Sequence, residues 1–266
     1  MAIQKNLEAK LSKWYKDLNG KDYALVLTDD ADSLLTCQYL QSKFPGLEVG
    51  GFFNFGALYI NLERAKDKKF VFVDADLTRT RCFGNHRAPI YNPLAVNPNV
   101  IAPQAYNQKY VGSTLLWVMA LYNEDLSGFN EEQLIKLLAV DSAYSGYYNK
   151  GGAFKHINQK WFSALGYPEL SSFLEAHKKA DFEQYISQNN LSAKINIKGG
   201  YLESVLDVPY DYKFELLAEY KKHFVTTTQL SEMDKSAVFN CVETYSGKCI
   251  VRKRANITPL AKVLTK

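Results

Sequence analysis

Two short apolar runs in this chain each end in carboxylates two positions apart. One is Ala24-Leu25-Val26-Leu27-Thr28-Asp29-Asp30-Ala31-Asp32, the other Lys69-Phe70-Val71-Phe72-Val73-Asp74-Ala75-Asp76. An unbroken apolar run bounded by polar residues reads as a strand of a parallel sheet, buried on both faces. Open α/β sheets take their ligands at the carboxyl ends of such strands. Two of these ends side by side bring Asp29, Asp30, Asp32, Asp74 and Asp76 toward one crevice. Crowded like charges raise one another's pKa unless a cation neutralises them. Oxygen-rich clusters suit Mg2+ or Mn2+. The pattern therefore predicts a divalent-metal site where the two strands end.

The surrounding elements fit that frame. Helical spacing covers residues 4–18 (Leu7, Leu11, Trp14, Leu18), closed by Asn19-Gly20. The first strand follows at 23–28, then a helix opening at Asp32-Ser33 and ending at Phe44-Pro45-Gly46. A second strand, 47–55, a short polar helix and the strand 70–73 complete a βαβ alternation, which implies a parallel sheet. The stretch from Thr78 to Asn107 carries Pro89, Pro93, Pro98 and Pro103 and reads as a long irregular loop. Helices are expected from Ser113 to Tyr122 and from Asn130 to Val140. Past Gly151-Gly152 the texture changes. Residues 157–190 read as helical, 193–206 and 237–256 as strands, the last a hairpin turning at Ser246-Gly247. The expected fold is α/β: a parallel-sheet domain with flanking helices over residues 1–150, and a smaller α+β lobe over 151–266.

Composition narrows the function classes. At 266 residues, 47% hydrophobic and 23% charged, the chain can bury a sizeable core. A net charge of +4 permits a phosphate-bearing partner but falls short of a dedicated duplex binder. The four cysteines (Cys37, Cys82, Cys241, Cys249) form no CxxC pair and no zinc spacing. No apolar run reaches the roughly 18 residues of a membrane span, and residues 1–14 are charged and amphipathic rather than signal-like. A cytoplasmic, reduced protein is expected, with no membrane partner and with oligomerisation left open.

Each candidate residue has a chemical reason. Alternate residues of an extended segment share a face, so Asp30 and Asp32 point the same way and can each serve a metal. The plainer reading makes them caps of the helix that follows. Asp74, at the end of a buried strand, can bridge two metals. His86 offers a ring nitrogen and Arg87 a bidentate phosphate clamp. Asp141 ends an apolar helix, where its charge opposes the helix dipole. Arg79 and Arg81 beside the loop, and Lys248, Arg252, Lys253 and Arg254 near the end of the chain, are candidate phosphate contacts; for the last three a solvated strand end is the more common explanation.

In this order the series resembles a divergent DHH-type phosphoesterase domain over about residues 22–145. The superfamily includes single-strand exonucleases, oligonucleotide and cyclic-dinucleotide phosphodiesterases and family II pyrophosphatases. Its His-x-Asp-x-Asp-Gly motif falls on Thr28-Asp29-Asp30-Ala31-Asp32-Ser33, its strand-terminal Asp on Asp74, and its Asp-His-His motif near Gly84-Asn85-His86 or Asn85-His86-Arg87. Val111-Gly112-Ser113-Thr114 is similar to the family's small-residue helix start, and Asp141 stands for the fourth-motif Asp. The chain departs from the pattern at Thr28, where the family has His, in keeping a single His at the third motif, and in lacking a Gly-Gly-Gly-His sequence. The resemblance implies Mn2+ or Mg2+, with one metal on Asp32, Asp74, His86 and Asp141 and a second on Asp30 and the bridging Asp74. It implies cleavage of a phosphodiester or pyrophosphate in a small molecule or single-stranded oligonucleotide, with activity reduced or lost through the missing ligands.

Two alternatives stand beside it. A domain with eroded motifs can be an inactive one kept for binding or assembly. The run Phe72 to Thr78 also resembles the nucleophile motif of haloacid-dehalogenase-like phosphatases, with Asp74 as nucleophile and Asp76 as acid, and the Asp-x-Asp of nucleotide-sugar glycosyltransferases.

Overall fold

The computed structural model describes residues 3–102, 105–244 and 246–258. Pro103 of the proline-rich stretch, and residues 1–2 and 259–266 at the ends of the two expected segments, lie outside the described residues. The chain is mixed α/β, as its strand–helix alternation implies. Eleven strands are described: β1 Tyr23–Leu27, β2 Glu48–Phe53, β3 Ala57–Ile60, β4 Lys69–Phe72, β5 Arg81–Phe83, β6 Ala95–Val96, β7 Asn196–Lys198, β8 Tyr201–Glu203, β9 Glu215–Thr226, β10 Val238–Glu243 and β11 Lys248–Ile257. Nine of them form one sheet in the order β10-β11-β9-β3-β2-β1-β4-β5-β6, while β7 and β8 make a separate hairpin.

The sheet has two characters. From β2 through β1, β4 and β5 to β6 every pairing is parallel. From β2 outward through β3, β9 and β11 to β10 every pairing is antiparallel. The antiparallel half curls back on itself: Leu77, just past β4, pairs with Asn240 of β10. Thr78 N–H donates to Phe239 O at 3.2 Å, and Cys241 N–H to Asp76 O at 3.3 Å. Inside this curl sits a core of Val26, Phe53, Leu58, Phe72, Leu77, Tyr220 and Phe239. The opposite face of the parallel strands carries Leu25, Leu27, Val49, Phe52, Val71 and Val73 into the main core under the helices. Both faces of β1 and β4 are therefore covered, which is why their sequences are continuously apolar.

The helices that flank this core are Ala31–Lys43, Thr114–Leu121, Glu131–Ala139, Lys155–Leu165, Glu169–Ala176 and Lys179–Gln188. Every residue of Thr114–Leu121 is buried, and it packs against Ala31–Lys43. The main core takes residues from both sides of position 150, Leu25 and Trp117 as well as Phe162 and Phe182. Among the described residues no helix is long and apolar enough to cross a membrane.

Several elements differ from expectation. The periodic segment 4–18 is not one helix: Lys5–Glu8 is α-helical, Ser12 is extended, and Lys13–Asp17 is a 3-10 turn. Leu7, Leu11, Trp14 and Leu18 are buried all the same. Tertiary contacts override the helix: Gln4 N–H donates to Ala164 O at 2.9 Å, and Trp14 Nε1 to Leu94 O at 2.9 Å. The stretch 47–55 does not run on as one strand, because Asn54 Oδ1 accepts the N–H groups of Gly56 and Ala57 and turns the chain into β3. Residues 78–107 contain β5, β6 and the short helix Pro98–Ile101. Buried asparagine side chains there replace a regular ladder. Asn92 Nδ2 donates to Leu77 O and Thr80 O, and Asn99 Nδ2 to Asn85 O and Tyr110 O. Strand β9 has no counterpart in the sequence reading, since its later half (Lys221, Lys222, His223, Phe224) is exposed on both faces and carries no alternation.

Candidate functional site

The carboxyl ends of β1 and β4 are stitched together by hydroxyls. Ser33 Oγ accepts the Thr28 N–H at 2.7 Å and donates to Val73 O at 3.0 Å. Thr28 Oγ1 lies 3.2 Å from Val73 O and 3.3 Å from Asp74 O. Thr28, fully buried, thus fixes the backbone that carries Asp74. Asp74 itself adopts φ 55, a left-handed conformation uncommon outside glycine.

Asp32 and Asp74 meet at the start of the helix Thr114–Leu121. Asp32 Oδ2 accepts the Thr114 N–H at 2.7 Å and Oδ1 the Leu115 N–H at 2.8 Å. A helix N-terminus offers unpaired N–H groups and a positive dipole end, so a buried carboxylate is stabilised there. The Thr114 hydroxyl donates to Asp74 Oδ1 at 2.8 Å. Ser113 caps that helix, its hydroxyl accepting from Leu116 N–H at 3.1 Å. Asp30 caps the other helix, accepting the Ser33 N–H at 3.2 Å. Lys194 reaches both Asp29, at 3.0 Å, and Asp30, at 3.3 Å.

Asp141 enters from the far side with φ 49, just past the helix Glu131–Ala139. Its Oδ2 accepts from Asn85 Nδ2 at 2.7 Å. His86 turns its Nδ1 to Asp76 Oδ2 at 2.8 Å, and the same carboxylate accepts from Asn97 Nδ2 at 2.6 Å. Gly84 is required beside this pair, because a Cβ there would sit 2.4 Å from Asp76 Oδ1.

The electrostatics follow from this crowding. Burial is the largest cause of a pKa well above the ordinary range at Asp32; the charges of Asp141 and Asp30 add to it, and the Leu115 and Thr114 N–H groups oppose it. Asp74 is pushed well up by burial, then by Asp30, Asp32 and Asp141, against the Thr114 hydroxyl. Asp141 is exposed on one side, yet enough atoms crowd its carboxyl for burial to lead a smaller rise, opposed by His86 and Asn85. Burial works against a charge on His86, but the hydrogen bond and charge of Asp76, with Asp141 beyond, prevail and raise it to about 9.

Asp30, Asp32, Asp74 and Asp141 therefore share one field, with His86 at its edge and Thr114 joining two of them. Among the described residues, no group of three or more His, Cys, Asp or Glu side chains is arranged to hold a metal ion as it stands. Two cavities meet at Asp141. One of about 180 Å3 is lined by Asp30, Asp32, Asp141 and Lys194. The other, of about 550 Å3, is lined by Asn85, His86, Lys109, Asp141 and Asn158 among others.

The arginines are dispersed. Arg87 pairs with Glu243 at 3.3 Å and its carbonyl accepts the Glu243 N–H, tying the loop to β10. Arg79 lies within electrostatic reach of Asp234. Arg81 sits over the Tyr23 ring at 5.7 Å. Arg254 is exposed on β11 opposite Tyr220. Arg252 alone comes near the acidic end, over Phe55 at 5.7 Å and within reach of the Asp29 charge. The sequence reading missed Lys194 and the asparagines Asn97 and Asn99. Lys194 carries no local motif, whereas the density of Asn in 85–107 is a signal that buried backbone there needs side-chain partners.

Compared with known proteins, the chain matches no family model, no curated protein and no solved structure.

Proposed function

We propose that the chain is a divalent-metal-dependent phosphoesterase on a DHH-like domain, acting in the cytoplasm on a phosphodiester or pyrophosphate. The observation that carries this reading is the convergence of Asp30, Asp32, Asp74 and Asp141 at the ends of β1 and β4, with Asp32 and Asp74 raised first by burial and then by neighbouring aspartate charges. Among the described residues, the cations in the field of these four carboxylates are Lys194, His86 and Lys109. Carboxylate oxygens are the donors Mn2+ and Mg2+ take, and a divalent cation offsets the surplus negative charge. Asp30, Asp32, Asp74 and Asp141 are the residues that would hold it. When bound, such a metal supplies an activated water and stabilises charge on the attacked phosphoryl group.

The chain's own residues orient this chemistry. Helix N–H groups fix Asp32, the Thr114 hydroxyl fixes Asp74, and Asn85 fixes Asp141. His86, held through Nδ1 by Asp76, contributes positive charge beside the cluster, suited to phosphoryl oxygens. The test is hydrolysis of a phosphodiester and of pyrophosphate with and without Mn2+. Asp74→Asn is expected to abolish the Mn2+-dependent rate; undiminished activity rules out the role of Asp74.

One observation favours a second reading, an inactive domain kept for binding or assembly. Both oxygens of Asp32 already accept helix N–H groups and Asp30 serves as a cap. Calorimetry with Mn2+ separates the two: no binding at millimolar metal and an unchanged melting temperature support the inactive domain. The phosphatase reading centred on Asp74 has less in its favour, since Asp76, its supposed acid, is taken up by His86 and Asn97. An aspartyl phosphate trapped on Asp74 would revive it.

A further inference from the structure

Strand β9 has an edge that is only half used. One side pairs with β11 over residues 218–226, while the other pairs with β3 over 215–219 alone. Gly56 O extends the second side by one bond, accepting the Tyr220 N–H at 2.8 Å. Beyond it no strand among the described residues lies on that side. Residues along an antiparallel strand turn their N–H and C=O groups to its two edges alternately. Tyr220 turns toward β3, so Lys222 and Phe224 turn the same way, with no described strand to pair them. The Thr226 N–H ends the row, donating to Gln229 Oε1 at 2.9 Å. An open edge of this kind is a template on which another chain adds a strand.

The side chains along this edge define what fits. On one face Phe224, 59% exposed, stands opposite Ile250, which stands opposite Val242. This apolar row crosses three strands and ends at the free edge, where the Lys222 ammonium lies 4.8 Å from the Phe224 ring centroid. On the other face Lys221 stands opposite Lys253, with exposed His223 beside it. Lys222 stands opposite Arg252, so two successive cross-strand pairs set cation against cation. Like charges directly opposite are destabilising. Two acids of these strands are engaged elsewhere, Glu243 with Arg87 at 3.3 Å and Glu219 with Asn256 Nδ2 at 2.9 Å. Among the described residues, Lys221 and Lys222 make no ion pair.

We propose that residues 221–225 of β9 dock an extended segment of another protein, apolar on one face and acidic on the other, as an added strand. Its backbone pairs with the N–H and C=O groups of Lys222 and Phe224. Its apolar side chains continue the row of Phe224, Ile250 and Val242, and its carboxylates meet Lys221 and Lys253. A second copy of this chain does not fit. Pairing two β9 edges would bring their lysines together, which is how edge lysines guard against self-association. The same lysines attract an acidic strand. Docking here needs no metal, so it stands apart from the reaction proposed for the carboxylate cluster.

The test is fluorescence anisotropy of labelled probes with the full chain. Probes are a short peptide of alternating valine and glutamate, one of alternating valine and lysine, and a single-stranded oligothymidylate. The glutamate peptide is expected to bind ten-fold or more tightly than either of the others. Amide hydrogen exchange followed by NMR locates it. The Lys222 and Phe224 N–H groups should become protected, while those of Lys221 and His223, which point to β11, stay unchanged. Phe224→Pro removes one outward donor, and proline is tolerated on an edge strand whose N–H faces solvent; the variant should lose peptide binding. Should it not fold, Lys221→Glu is expected to keep the melting temperature and weaken peptide binding about ten-fold. No glutamate-peptide binding at millimolar concentration, binding without protection of the two edge amides, or full affinity in the folded variants overturns the proposal. Tighter binding of the oligonucleotide than of the glutamate peptide assigns the basic strip to nucleic acid and overturns it too. So does a dimer in sedimentation that protects the same two amides.

Discussion

Asp32 reaches across 82 positions of sequence to accept the backbone N–H of Thr114 at 2.7 Å. With the Leu115 N–H on its other oxygen, it binds the start of the most buried helix to the end of β1. Replacement by alanine leaves both N–H groups without their acceptor. An unmatched buried group costs roughly 1–3 kcal/mol, and a cap deletion about 1 kcal/mol. Asp32→Ala should therefore lower the thermal midpoint by several degrees, at about 2–4 °C per kcal/mol for a chain of this size. Asp32→Asn keeps one acceptor and should lose less. Equal melting of wild type and Asp32→Ala would show that the contact contributes nothing.

The raised carboxylates make a second prediction, on pH. Asp32 and Asp74 have folded pKa values above their unfolded ones, burial first and neighbouring Asp charges next. The folded state then binds more protons than the unfolded one, so stability falls as pH rises. The loss begins in the ordinary carboxylate range near pH 4 and continues upward through the raised folded values. Melting in EDTA should drop across that window, and Mn2+ should restore more stability at pH 8 than at pH 5. A flat profile, with no effect of Mn2+ at either pH, contradicts the charge crowding.

His86 gives an independent titration. Its pKa is raised to about 9, because Asp76 outweighs the burial that opposes its charge. A raised histidine contributes stability that is complete below the unfolded value of about 6.5 and is lost as pH rises through 9. In Asp76→Asn, the His86 ring protons should titrate by NMR well below their wild-type midpoint. The variant should be less stable than wild type at pH 6, with the gap narrowing above pH 9. A wild-type midpoint near the ordinary value would remove the pairing from solution.

What the sequence revealed and what it hid divide along physical lines. The runs ending at Asp30-Asp32 and Asp74 were legible because strands covered on both faces need continuous apolar residues, and β1 and β4 are covered in that way. Asp141 was legible as a charge placed against a helix dipole. Lys194 was not: it reaches Asp29 because Ile195 N–H bonds Asp29 O at 2.9 Å, a contact 166 positions apart that no local pattern encodes. The closure of β10 on Leu77 was hidden for the same reason, and β9 because only Ala218 and Tyr220 of its length are buried. Composition alone did not place the arginines, since guanidinium groups also tie loops, as Arg87 does with Glu243.

Gly84 allows a test of how tightly the Asp76–His86 pair is built. A methyl group there would stand 2.4 Å from Asp76 Oδ1 and 3.0 Å from Ala75 O. The second neighbour is backbone and cannot swing aside, so the Asp76–His86 pair must shift. Overpacking of this kind costs typically about 1–3 kcal/mol. Gly84→Ala should lower the melting temperature and move the His86 titration together. A stable variant with an unmoved His86 midpoint would show that the loop yields without cost.

At the proposed metal site, Lys194 is a competing cation. Its ammonium lies 3.0 Å from Asp29 and 3.3 Å from Asp30, where it offsets charge that a metal at Asp30 would also offset. With its side chain 56% exposed, the pair is worth about 0–1 kcal/mol, so its removal costs little stability. Lys194→Met removes the competing cation and should tighten Mn2+ binding by a few-fold, since about 1.4 kcal/mol corresponds to ten-fold. The same variant should show a slightly lower melting temperature in EDTA and a larger rise on adding Mn2+. Weaker Mn2+ binding in Lys194→Met would mean that the lysine organises Asp29 and Asp30 for the ion rather than occupying its place, and the competition argument would fall.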